Sequence, residues 1–534
     1  MPLTATPASP PPTTARNHRP MRRWSSTAPP DSMFSADPAA FRRRGRLLLG
    51  GAAVSVLLMA VVGLSGPSAA VPKMGPRGVL PPWYWPVHPT AVVVTAALWA
   101  AVIIGTVAVL AGLSAVRAGW TPNPARLIAA GVLGVAVLAV VPPIGSTDLM
   151  DYATYGRIAS LGHNPHVMTP AKLRQTGDPV ALLSSKTWRH TPSVYGPVAT
   201  ATQWAASRLG GASARRTVWW LKLGNALAFL LVALALDRLA GRNQGRRMRV
   251  HVLWTVNPLM LWAAVAGGHI DGVAAALAVA GLWALRPDRR RPLLAAVAGG
   301  LLLGGAAAVK APFALFAAGP AWSLRRSPRL LAAGALGVLI AVVPGYVLIG
   351  AKAVKALVHR SQRLSGLSLW RLLMDPGGVR PPVWLLTRET LLITLALALV
   401  YARALPAERV GMPAVRITLA LCLAWAVITP IYNPWYEIMI FPLLALLPSS
   451  RADLLLVLRG GVGALGCIPG VALTLQPVWL NTVVIRYAVA YVVPFTLLLL
   501  FLVITVTAWR RTWVPWGWPA DDASLPELEP HSFP

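Results

Sequence analysis

The sequence predicts an all-α, polytopic integral membrane protein of about fourteen spanning helices, twelve at the fewest. Three observations lead there. Hydrophobic residues make up 56% of the 534-residue chain and charged ones only 12%, too little polar surface to solvate the several soluble domains that such a length could otherwise hold. The apolar residues fall in long uncharged runs, many near the roughly 20 residues that cross a 30 Å hydrocarbon core at 1.5 Å each. The 49 Lys and Arg against 17 Asp and Glu, a net charge of +32, collect in short segments between those runs. That is the pattern of cytoplasmic loops facing an anionic leaflet, and it argues against nucleic acid as the partner of this basic chain.

Residues 1 to 46 are rich in Pro, Ser, Thr and Arg and end in Phe41-Arg42-Arg43-Arg44-Gly45-Arg46; they read as a disordered, basic cytoplasmic tail. The first span covers 47 to 65. Pro67-Ser68-Ala69-Ala70 offers small residues for cleavage, but the preceding tail is far longer than a signal-peptide n-region, so the run reads as an anchor. Further spans follow at 91 to 115, 126 to 143, 217 to 240, 251 to 267, 272 to 285, 293 to 309, 311 to 324, 330 to 349, 382 to 402, 414 to 430, 435 to 449, 453 to 471 and 484 to 508. The run at 311 to 324 is short enough to be re-entrant.

Charge tests this topology independently. Arg242, Arg246, Arg247 and Arg249, then Arg289 to Arg291, then Arg325, Arg326 and Arg329, and later Arg403, Arg451, Arg510 and Arg511 all fall on the side counted as inner. Both termini, including the tail 511 to 534, are then cytoplasmic. Two long segments, 144 to 216 and 350 to 381, face outward, with the membrane body running from 47 to 510. Cys422 and Cys467 both lie in apolar runs, which suggests neither a disulfide nor a Cys-based metal site.

The polar interruptions carry the chemistry. Asp148 and Asp151 open the first outer segment just beyond a helix end, three residues apart, a spacing that puts both on one helix face. They suit a general base with an assisting carboxylate, although Ser146, Thr147 and Asp148 are also ordinary N-cap residues. Tyr152, Tyr155, Arg157, His163, Asn164 and Tyr195 follow in a segment dense in turn formers, aromatic rings and amides, the groups used to hold sugars. His163 and His166 flank an Asn-Pro turn without a third ligand nearby, so no metal site is expected. Three further breaks fall on the same outer side: His269 with Asp271, Lys310, and Trp435 with Tyr436. Each alone has an ordinary account as a helix cap, a snorkelling lysine or an interfacial belt. Together on one face they point to a site. Arg360 and Arg363, in the second outer segment, belong to a positive excess that topology does not demand; a phosphate or an anionic lipid headgroup would explain it, as would a basic amphipathic interfacial helix near 352 to 374.

The set Ser146-Thr147-Asp148, Tyr155-Gly156-Arg157, Gly162-His163-Asn164-Pro165, Thr191-Pro192-Ser193-Val194-Tyr195-Gly196-Pro197, Gly268-His269-Ile270-Asp271 and Lys310-Ala311-Pro312 resembles the actinobacterial polyprenol-phosphate-mannose-dependent alpha-1,6-mannosyltransferases, which are GT-C glycosyltransferases. The resemblance implies transfer of a mannosyl residue from a polyprenyl phosphate to a glycan or glycolipid acceptor outside the membrane. It implies no cofactor, the lipid-linked sugar being a substrate. Asp148 matches the family's acid. Asp151 is a departure from the family pattern and stands as an alternative base. Lys310, Arg360 and Arg363, with Arg157 in reserve, are the expected partners of the leaving phosphate. Two alternatives stay open: a GT-C transferase of another lipid-linked sugar, and a lipid-linked-sugar flippase. A flippase needs polar residues through the membrane midplane, whereas these gather at one face.

Overall fold

The computed structural model describes residues 38–286, 289–361, 364–374, 383–408, 412 and 414–514. Helix accounts for 72% of the described residues, and among them there is no strand, so the all-α expectation holds. The first two helices, α1 (Pro38–Leu64) and α2 (Ala91–Arg117), form an extensive pair. The chain enters α1 earlier than the expected boundary at 46, since Ala39, Ala40 and the arginines are good helix formers and Arg44 Nη1 donates to Ser114 Oγ of α2 at 3.0 Å. Next come α3 (Pro124–Ala139), α4 (Asp148–Ser160), α5 (Pro170–Gln175), α6 (Pro197–Gly210) and α7 (Ala214–Ala240). The expected outer segment 144 to 216 is therefore folded: α4 packs on α6 and α7.

The central helices α8 (Gln244–Val250), α9 (Pro258–Leu261) and α10 (Asp271–Ala284) are joined by π-helical turns at His251–Thr255 and Trp262–Ala266. A 113° bend separates Pro258–Ala266 from α10, and the residues Gly267 to Ile270 form that bend. After α11 (Pro292–Val309), Ala311–Ala317 forms a 3-10 turn that leads into α12 (Ala318–Leu324) and α13 (Pro328–Ile349). The remaining helices are α14 (Ala351–Ser361), α15 (Leu369–Met374), α16 (Val383–Ala404), α17 (Val415–Ile428), α18 (Glu437–Ala445), α19 (Arg451–Leu465), α20 (Val478–Asn481) and α21 (Val493–Trp509).

Among the described residues, six helices are long and apolar enough to cross a membrane: α1, α2, α7, α11, α13 and the run Val478–Trp509; the bent pair makes a seventh. Pro124–Ala139, Ala311–Leu324 and Val415–Ile428 are shorter apolar helices. The other runs expected to span appear as α16, α18 and α19. Several expected spans are thus short or broken, because Pro, Gly and buried polar groups interrupt the apolar runs near the site.

Because α10 and α11 are antiparallel neighbours, Asp271 at the start of one and Lys310 just past the end of the other share an end of the bundle. The connection carrying Arg289, Arg290 and Arg291 lies at the opposite end. There Arg249 is fully buried, holding Asp453 Oδ1 at 2.7 Å and the carbonyls of Leu444 and Leu447 at 2.9 Å.

Helix α13 touches its neighbours along a narrow stripe and leaves Val347 and Leu348 73% and 85% exposed, as a lipid-facing helix does. It packs on α11 through backbone-to-backbone approach: a Cβ on Gly300 would overlap the Gly334 carbonyl, and one on Gly337 the Val297 carbonyl. Gly337→Leu is accordingly expected to destabilise the protein by about 1–3 kcal/mol, read as a lower melting midpoint in detergent.

Candidate active site

Pro142 and Pro143 close the chain to helix after α3, and the backbone then reaches α4 through a fixed path. Ile144 N donates to Ala266 O at 3.2 Å and Gly145 N to Ala70 O at 2.8 Å, with Gly145 at φ 77°. Ser146 Oγ accepts from Asp148 N at 3.1 Å, so Asp148 stands at the very start of α4, where the helix dipole favours negative charge. Its carboxylate is 13% exposed and lines a cavity of 680 Å³. His269 Nδ1 approaches Asp148 Oδ2 to 3.3 Å. The imidazole is wholly buried and lies flat on the Trp435 indole, 3.7 Å between ring centres and 13° between planes.

Asp271, also fully buried, accepts from Lys310 Nζ through both oxygens at 2.8 Å. Lys310 Nζ lies 4.5 Å from the centre of the Tyr436 ring. An ammonium has three donors, so after the two bonds to Asp271 one remains for another partner. Trp435 and Tyr436 sit on a turn anchored from behind: Glu437 Oε1 accepts from Tyr432 Oη at 2.9 Å and pairs with Arg459, whose Nη2 reaches Ala426 O at 3.1 Å.

The bend itself is built by Gly268, whose φ is 65° and where a Cβ would overlap the Leu149 side chain. The segments carrying Asp148 and His269 therefore touch directly. Both are also pinned from α7. Lys222 is fully buried, and its Nζ donates to Val141 O at 2.7 Å, Ala266 O at 3.3 Å and Pro142 O at 3.4 Å. One turn on, Asn225 Nδ2 donates to Gly268 O at 3.1 Å. Nothing in the sequence pattern singled out Lys222 or Asn225. Lysine in the middle of an apolar run was the available signal.

The structure brings most of the expected residues together. Asp148, Asp151, Tyr152, Tyr155, Tyr195, Lys310, Trp435 and Tyr436 line the cavity, with His269 and Asp271 touching that set from behind. Tyr152 and Tyr195 meet edge to face at 5.1 Å with their hydroxyls 3.3 Å apart, and burial raises both phenols well above their ordinary range, which keeps them neutral. Tyr155 Oη donates to Thr191 O at 2.8 Å.

Three residues stand elsewhere. Arg157 is committed to Asp178 at 2.8 Å and does not line the cavity. His163 is exposed on a turn, while Asn164 uses its amide to hold Ile349 O at 2.9 Å and His166 N at 2.9 Å. His166 is occupied in turn by Ser193 O and Thr200 Oγ1. The Arg360 side chain and Arg363 lie outside the described residues. Both cysteines are free thiols, and Cys467 lines the cavity.

Asp151 differs from Asp148 in its surroundings. It is 2% exposed, and Ser185 donates to it through N at 3.2 Å and Oγ at 2.7 Å. Burial pushes its carboxyl up to about 8. The proton is thus held more tightly in the folded chain than in the unfolded one. The stability this contributes is complete below the ordinary carboxyl range and is lost as pH rises to about 8. Asp151→Asn is expected to flatten that alkaline loss, measured as the melting midpoint from pH 5 to pH 9, because a neutral amide can bond Ser185 N and Oγ in the same geometry.

Helices α16 and α17 supply the remaining wall: Leu391, Leu395, Leu421 and Trp425, with the buried hydroxyls of Thr390 and Thr394 finding no partner among the described residues. Apolar residues in apolar runs gave no sequence signal for this wall.

Fold and site define a class: a helical membrane protein whose cavity is lined by Asp148, Asp151 and Lys310, with His269 and Asp271 behind them. The chain belongs to the family described as alpha-(1->6)-mannopyranosyltransferase, N-terminal domain, which matches residues 47–326. It is 31% identical over 165 residues to a "probable alpha-(1->6)-mannopyranosyltransferase" of Mycolicibacterium smegmatis, covering 30% of each chain. It is 29% identical over 150 residues to an alpha-(1->6)-mannopyranosyltransferase of Mycobacterium tuberculosis, covering 28% of this chain and 25% of the relative. The matched stretch therefore spans less than a third of either relative. No solved structure matches.

Proposed function

We propose that the protein is a membrane mannosyltransferase that moves a mannosyl residue from a polyprenyl phosphate to a glycan or glycolipid acceptor, in alpha-1,6 linkage, with Asp148 as general base. The observation that carries this reading is the placement of Asp148: on the cavity wall, at a helix N-terminus, against His269 and near the Lys310–Asp271 pair. Family membership supports the sugar and the linkage.

In the proposed step the acceptor hydroxyl gives its proton to Asp148 as its oxygen attacks the anomeric carbon. The bond from that carbon to the phosphate oxygen breaks, and polyprenyl phosphate departs with the electron pair. A phosphate monoester is a good enough leaving group to need no general acid. The third N–H of Lys310 stabilises the charge that develops on it. Inversion with an alpha product requires a beta-configured donor. The apolar wall from α16 and α17 suits the first isoprene units, and the bilayer holds the rest. The cavity opens on the extracytoplasmic face, with both termini in the cytoplasm.

The test is transfer in proteoliposomes from radiolabelled polyprenyl phosphomannose to a short alpha-mannoside, beside the same lipid carrying glucose or arabinose. Mannosyl product with stoichiometric release of polyprenyl phosphate supports the reading. Product from another donor only would reassign the sugar. Movement of the lipid across the bilayer without product would make the protein a flippase.

A further inference from the structure

Asp151 is left without a part in the chemistry, yet its contacts lead to the cavity. Ser185, which it holds through both N and Oγ, accepts in turn from Trp188 N at 3.2 Å. Arg189 Nη2 donates to Ser184 O at 3.3 Å, tightening the same turn. A second aspartate fixes the approach to it. Asp178 Oδ1 accepts from Val180 N and Ala181 N at 2.9 and 3.0 Å, while Oδ2 receives Arg157 Nε of α4 at 2.8 Å. Residues 178 to 189 are thus tied to α4 at two carboxylates. The product of this bracing is that Thr187 and Trp188 line the cavity beside Tyr155 and Thr191.

The cavity therefore has walls of two chemistries. Leu391, Leu395, Leu421 and Trp425 are apolar, whereas the loop wall combines an indole, a phenol and threonine hydroxyls. A pyranose presents an apolar C–H face and a rim of hydroxyls, which matches the second wall. A lipid tail matches the first. We propose that the Thr187–Trp188 turn is the acceptor-sugar subsite, with the Trp188 indole as the platform on which the acceptor pyranose stacks and Asp151, through Ser185, as the residue that positions it. The assignment rests on the transferase reading for the word acceptor, while the sugar site itself stands on the braced turn.

Two measurements test it. The first is steady-state kinetics of wild type, Trp188→Ala, Trp188→Phe and Ser185→Ala in proteoliposomes, varying alpha-1,6-mannobiose and polyprenyl phosphomannose separately. Trp188→Ala should raise the acceptor KM at least tenfold, leaving kcat and the donor KM within about twofold; Phe should recover most of the loss, and Ser185→Ala should fall between. The second is saturation-transfer NMR of alpha-1,6-mannobiose on the detergent-purified protein, which needs no turnover. The disaccharide should bind wild type, and binding should weaken in Trp188→Ala. An unchanged acceptor KM, or a shift confined to the donor KM, overturns the acceptor subsite while the transferase reading stands. Silence of wild type in transfer, with mannobiose binding that depends on Trp188, would overturn the transferase reading and keep the sugar site. Absence of mannobiose binding to wild type would overturn the site.

Discussion

Asp148→Asn is expected to lower mannosyl transfer by about two to four orders of magnitude, the loss typical of removing a general base, with donor KM and melting midpoint close to wild type. The amide keeps the shape of the carboxylate and its place at the N-terminus of α4, so the change removes a proton acceptor and little else. Asp148, 13% exposed, lines the cavity, where an acceptor hydroxyl would arrive. Asp151→Asn provides the contrast. Its carboxyl is enclosed and engaged by Ser185, so at neutral pH that variant should keep transfer within about tenfold. Should the two results be exchanged, Asp151 is the base and the role assigned to Asp148 is wrong.

Lys310→Met is the second large effect. It removes the donor proposed for the leaving phosphate, and it strands the carboxylate of Asp271, which is 0% exposed and has both oxygens on Lys310 Nζ. Removing one partner of a buried pair costs about 3–5 kcal/mol, so the single variant should be both unstable and inactive. The double variant Asp271→Asn with Lys310→Met no longer buries a lone charge. It is expected to regain much of the melting midpoint while transfer stays down by about two orders of magnitude or more. Recovery of activity along with stability would show that Lys310 serves the fold alone.

Much of this site is legible in the sequence because membrane chains make polar residues conspicuous. Gly268-His269-Ile270-Asp271 and Lys310 interrupt apolar runs, and the topology places them on one side before any coordinates are known. What the pattern does not carry is where each side chain points. The i, i+3 spacing of Asp148 and Asp151 places both on one face of α4, yet one carboxylate meets His269 and the other meets Ser185, 34 residues later in the chain. Arg157 has the charge for phosphate but is spent on Asp178, a partner that only the fold of 178 to 189 brings near. Trp188, Leu421 and Trp425 are ordinary as letters; their part in the cavity is decided by packing between distant helices. The helix count was blurred for the same reason that the site exists, since the broken segments are those whose ends supply its residues.

The clamp made by Lys222 also bears on how the protein is assembled in the membrane. A lysine at the centre of a spanning helix costs about 2.5–3.5 kcal/mol on insertion and less toward an end, and Lys222 lies in the first third of α7. Two of its three carbonyls, Val141 and Pro142, have already been synthesised when α7 emerges, but Ala266 comes 44 residues later. Helix α7 thus enters the bilayer incompletely solvated and is secured only when the broken helix folds back against it. A nascent chain cut before residue 266 is therefore expected to hold α7 less firmly across the membrane than one cut after it, measured as resistance of α7 to extraction, since the contact that completes the solvation of Lys222 also fixes a wall of the cavity.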